Sequence, residues 1–104
     1  MLTDLIEVKN TKHCVEIATV DAYDECEITA GWHSCLSEIL SEFSEVEVLG
    51  DTATYQGLIQ CGNQILVKVR KKRRSAFVSL SSIIFPNPPA HVKIWTKAYT
   101  KYVS

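Results

Sequence analysis

The spacing of apolar residues changes once along this chain, and the change separates two kinds of structure. Ile28, Trp32, Cys35, Leu36, Ile39, Leu40 and Phe43 recur at intervals of three and four, which places one apolar stripe along a helix of about five turns. From Val46 the period becomes two, Val46 and Val48 alternating with Glu45 and Glu47, and a strand follows that ends at a turn over Gly50-Asp51. Thr54 to Cys61 and Gln64 to Arg70 then flank Gly62-Asn63, a two-residue connection suited to a tight hairpin with positive φ. Gly57 interrupts the first of these strands, as a bulge or sharp bend requires. Ile65, Val67 and Val69 supply an inward face, and Lys68 and Arg70 point the other way. Ser75 to Ser79 reads as another strand, and Leu80 to Ile83 as a brief helical turn before Ile84 and Phe85.

The flanks complete the pattern. His13 to Val20 reads as a short extended stretch, with Val15 and Ile17 on one side. Asp21 is positioned as the N-cap of the helix, with acids in its first turns where the macrodipole favours them. Gly31 inside the helix costs about 1 kcal/mol against alanine, which points to another element approaching closely there. Pro86, Pro88 and Pro89 stop the sheet, Asn87 caps a last helix, and Val92, Trp95, Tyr99 and Tyr102 share its inner face opposite Lys93, Lys97 and Lys101. The expectation is one α+β domain over residues 1–104: an extended stretch and acidic helix over 13–44, an SH3-like small antiparallel barrel over 45–85, and a closing helix over 87–103.

Charge is distributed unevenly. Up to residue 51 the chain has twelve acids against Lys9 and Lys12, a balance of −10, and from residue 52 it has nine bases and no acid. Such a split suggests a cation site in the first half, a polyanion site in the second, or compensation between the two within one fold or between copies in a homo-oligomer. No run approaches the ~18 apolar residues of a membrane span, and the acids of the opening MLTDLIEVKN differ from a signal pattern, so a cytoplasmic location is expected. Cys14, Cys26, Cys35 and Cys61 have no C-x-x-C spacing and read as buried or idle thiols. His13, His33 and His91 accompany no recognisable nucleophile, and no phosphate loop, G-x-S-x-G or H-E-x-x-H occurs, so no enzymatic activity is expected. Trp32 and Trp95 read as core.

The run Val20-Asp21-Ala22-Tyr23-Asp24-Glu25, followed by Glu27, Gly31-Trp32, Leu36 and Leu40, resembles the opening of the cyanobacterial calcium-binding protein family, CcbP. Val46-Glu47-Val48-Leu49-Gly50 and the stretch from Ala76 to Pro86 are similar to the first and last barrel strands of that family. Together these patches cover roughly half the chain. The resemblance implies a helical part joined to an SH3-like barrel, with calcium bound by clustered carboxylates outside any EF-hand.

Calcium takes six to eight oxygen ligands. Asp21, Asp24, Glu25 and Glu27 stand at helical spacings that let two or three carboxylates converge, with Glu47 and Asp51 as further donors from the barrel edge. EF-hand spacing is absent, because a loop starting at Asp21 would have Cys26 at its glycine position and Trp32 at its glutamate position. A buffer or sensor role follows. The alternative is an interaction module in which Arg70, Lys71, Lys72, Arg73 and Arg74, on a hairpin tip, meet nucleic acid or an acidic protein.

Overall fold

The computed structural model describes residues 5–20 and 22–103. It begins with a difference from the expected order: Thr11–Ala18 is a helix (α1), where an extended stretch was expected. Asn10 caps it, its side-chain oxygen accepting from the His13 amide at 2.9 Å. Cys14 and Ala18, one turn apart, are buried, and Val15 and Ile17 pack half-buried beside them. What reads as alternation is therefore the two flanks of one helical face, whose centre consists of small residues that hydropathy weights lightly.

The second helix, α2, spans Glu25–Leu40 and buries Thr29, Trp32, Leu36, Ile39 and Leu40. Its cap is Asp24, three residues later than the cap expected at Asp21, a residue outside the described ones. Gly31 brings α2 against α1, since a Cβ there would stand 2.0 Å from the Ala18 carbonyl oxygen.

Five strands follow: β1 (Glu45–Val48), β2 (Asp51–Cys61), β3 (Gln64–Lys71), β4 (Arg74–Ser79) and β5 (Ile83–Ile84), the last two joined by a 3₁₀ turn at Leu80–Ser82. All pairings are antiparallel, in the order β4-β3-β2-β1-β5. The β1–β2 turn is Leu49-Gly50, both at positive φ, so Asp51 opens β2 and is not part of the turn. Gly62-Asn63 closes the β2–β3 hairpin, and the register slips between Tyr55 and Leu58, where Gly57 has φ +107. That bulge bends the long strand toward α2, where His33 Nε2 lies 3.1 Å from the Leu58 carbonyl oxygen.

The expected closed SH3-like barrel is corrected to an open sheet. Among the described residues β4 and β5 occupy opposite ends of the strand order and do not pair. With two residues, β5 reaches only its ladder with β1, and the 3₁₀ turn carries the chain between the two edges.

The last helix, α3, covers Ala90–Val103 and not the whole of 87–103. Asn87 adopts φ +45 outside the helix, and the Pro89 carbonyl accepts from the Val92 and Lys93 amides. Val92, Trp95, Ala98 and Tyr99 face inward, while Lys93, Lys97 and Lys101 stay exposed. Trp32 and Trp95 meet edge to face with ring centroids 5.9 Å apart, at the centre of one buried cluster that takes in α1, α2, α3 and the sheet. Two buried hydrogen bonds fix α3 there: Trp95 Nε1 donates to the Leu5 carbonyl at 2.8 Å, and the Ile65 amide donates to the Tyr99 hydroxyl at 3.0 Å.

Candidate functional site

The acids at the start of α2 are exposed, and each one serves the helix or its neighbour. Asp24 Oδ1 accepts from the Glu27 amide and Glu27 Oε2 from the Tyr23 amide, both at 2.8 Å. These reciprocal bonds satisfy donors at the helix entry that lack intrahelical partners, in the manner of a capping box. Glu25 Oε2 accepts from Asn63 Nδ2 at 3.0 Å, and Gln60 Nε2 donates to the Cys26 carbonyl at 3.4 Å. The first turn of α2 is thereby tied to the tip of the β2–β3 hairpin. Each carboxylate keeps a second oxygen outside these bonds.

Glu47 and Asp51 lie elsewhere. Asp51 opens β2, and Asn63 lies just past the end of that eleven-residue strand. At about 3.3 Å per residue the two are separated by roughly 40 Å of chain along the hairpin. Glu47 pairs with Thr52 at the same far end, on the face opposite to Asp51, since Asp51 pairs with Val48. The Asp51 carboxylate is held by Lys71 in an exposed ion pair. Alternation in sequence placed Glu47 and Asp51 at a barrel edge but could not say which end of the sheet meets α2. Among the described residues no three His, Cys, Asp or Glu side chains gather as a metal-holding group.

In the sequence Asn63 signals only a turn. Bonded to Glu25, it lines with it a groove of about 630 Å³ between α2, the β2–β3 tip, the 3₁₀ turn and the end of α3, walled also by Trp32, Tyr99 and Tyr102. Trp32 is 1% exposed, and its Nε1 finds no hydrogen-bond partner among the described residues. No periodicity signals such an approach, because it depends on how α3 packs over the hairpin.

The basic run occupies the next hairpin. Arg70 and Lys71 end β3, Lys72 and Arg73 form the turn, and Arg74 opens β4; all five are exposed. Lys72 has φ +58, and Arg70 Nε donates to its carbonyl at 3.3 Å. Beside the run, Phe77 is 53% exposed and stands opposite Lys68 in the ladder.

The thiols divide by burial. Cys26 and Cys61 are exposed, whereas burial pushes the Cys14 thiol up to about 12 and the Cys35 thiol up to about 11, with the neighbouring Cys35 adding to the first and Glu38 to the second.

No family model and no curated protein matches this chain. Two solved structures share its fold. The crystal structure of Anabaena CcbP superposes with a TM-score of 0.76 at 16% identity, over 93% of this chain and 94% of that one. A calcium-binding protein in its calcium-binding form superposes with a TM-score of 0.72 at 19% identity, over 95% and 93%. The fold that the likeness from Val20 to Leu40 and in the strands implies is matched over nearly the whole length, and the chain shares the fold of Anabaena CcbP.

Proposed function

We propose that this protein binds calcium reversibly, as a buffer or sensor, through a carboxylate site at the start of α2 and outside any EF-hand. The observation that carries the reading is the near full-length fold match to a protein solved in a calcium-binding form. The donor chemistry at the α2 entry agrees with it. Asp24, Glu25 and Glu27 offer hard oxygens, Asn63 adds an amide oxygen across the hairpin contact, and calcium takes its remaining ligands from carbonyls and water. These residues are not gathered into a finished shell, and Asp21 lies outside the described residues. An open site of this kind implies a dissociation constant on the order of 10⁻⁵ to 10⁻³ M. Glu47 and Asp51, at the other end of the hairpin, take no part in it.

Calorimetric titration with calcium, followed in parallel by tryptophan fluorescence, tests this. Trp32 sits eight positions beyond Asp24, about 12 Å along the helix axis, and reports changes at the entry. A saturable signal is expected, weakened at least about tenfold by combined Asp24→Asn, Glu25→Gln and Glu27→Gln, and unchanged by combined Glu47→Gln and Asp51→Asn. A flat calorimetric trace at millimolar calcium removes the function. Loss of binding only in the second variant removes the site.

A further inference from the structure

Independently of calcium, the β3–β4 hairpin carries a surface of opposite sign. We infer that its outward face is a platform for single-stranded nucleic acid, with Phe77 stacking on a base and the surrounding cations holding phosphates. The register defines the face. Val67 and Val69 are buried, so Lys68 and Arg70 point outward, and the residues opposite them, Phe77 and Ser75, share that side. Beyond Arg70 the turn adds Lys72 and Arg73, both exposed. Phe77 is a half-exposed phenyl ring beside Lys68 and diagonal to Arg70, with Lys72 and Arg73 further along toward the turn, and it has no packing role in the buried cluster. It is what a stacking contact requires, because every base offers a π-face while phosphates follow the cations.

The neighbouring strands set the width of the platform. Thr54 lies opposite Arg70 on β2, and Glu45 lies opposite Thr54 on β1, so the acids Glu45 and Glu47 begin two strands away from the cations. At about 4.8 Å per strand the basic strip ends within roughly 10 Å of Arg70. One strand of phosphates fits on such a strip. A duplex would bring its second strand of phosphates over Glu45 and Glu47. An acidic protein segment would satisfy the cations but make no use of the ring.

Fluorescence anisotropy with a labelled oligothymidylate tests the inference, with the matching duplex and polyglutamate as competing arms. The oligothymidylate is expected to bind, and about four phosphate contacts predict a fall of about fifty-fold in affinity from about 50 to about 200 mM salt. Phe77→Ala, on an exposed edge strand, is expected to weaken binding about 5- to 100-fold. Combined Arg70→Gln, Lys72→Gln and Arg73→Gln should flatten the salt dependence. Lys93→Gln with Lys97→Gln on α3, which removes two charges away from the platform, should leave binding unchanged. Circular dichroism confirms that each variant is folded. Absence of binding, equal competition by polyglutamate, a preference for the duplex, or full affinity in Phe77→Ala overturns the inference.

Discussion

Gly31 shows how one side chain decides a helix contact. Alanine there would gain about 1 kcal/mol of helix propensity, yet its Cβ would meet the Ala18 carbonyl oxygen at 2.0 Å, and backbone must shift to admit it. Overpacking of this kind costs about 1–3 kcal/mol. Gly31→Ala is therefore expected to lower the melting temperature by several degrees; a rise would mean that α1 does not sit where it is placed here. The buried thiols make a second prediction. Raised folded pKa values mean that folding favours the protonated form, so their contribution is complete below the ordinary thiol value of 9.0 and is lost as pH climbs through about 11 for Cys35 and about 12 for Cys14. Tyr55, pushed by burial from 10.0 to about 12, adds to the same slope. Denaturation midpoints should fall steadily above about pH 9, with a shallower fall in Cys14→Ala. In the native state at neutral pH, alkylation should reach Cys26 and Cys61 and spare Cys14 until the protein unfolds. The close approach at Gly31 was legible in sequence because glycine inside a helical stripe demands a reason. Which of the four thiols is buried and which idle was not, since a lone cysteine carries no period.

Helix α2 depends on Asp24 as its cap, and the charge it also carries there can be tested separately. Asp24→Ala is expected to cost about 0.5–2 kcal/mol, whereas asparagine caps as well as aspartate and should cost almost nothing. Thermal melts of the two variants separate capping from charge: if both lose stability equally, the bond to the Glu27 amide is not what holds the helix entry. The contact between α3 and the sheet is more exacting. Tyr99→Phe leaves the buried Ile65 amide without its acceptor, and a loss of about 1–3 kcal/mol is expected in denaturant unfolding. By contrast, the Lys71–Asp51 pair is exposed at both ends, and Asp51→Asn should change stability by no more than about 1 kcal/mol. At this scale the sequence was read well where signals are local: the Gly62-Asn63 hairpin, the bulge at Gly57 and the 3₁₀ turn at Leu80–Ser82 all stand where expected. It was read badly where two periods fit the same residues, as in α1, and where several residues could cap one helix, as with Asp21 and Asp24.

Across the molecule, the opposed charges of the two halves meet on the sheet, where Asp51 pairs with Lys71 and Glu45 lies in one cross-strand row with Thr54 and Arg70. Calcium binding as proposed predicts that calcium raises the melting temperature by mass action, by about 2.7 kcal/mol of stability at a hundredfold excess over Kd. A melting temperature indifferent to calcium across the millimolar range counts against the proposed site. Periodicity, turn chemistry and charge order are properties of neighbouring residues, so the sequence alone determined the helix and strand succession from α2 onward, the two aromatic core residues Trp32 and Trp95, and the segregation of acids from bases. Only the tertiary structure decided that the sheet stays open, that Glu25 meets Asn63 while Glu47 and Asp51 lie at the opposite end of the hairpin, and that Phe77 shares a face with Lys68 and Arg70. Those outcomes depend on how a bulged strand bends and how α3 packs across it, and contacts between residues distant in the chain leave no trace in local spacing.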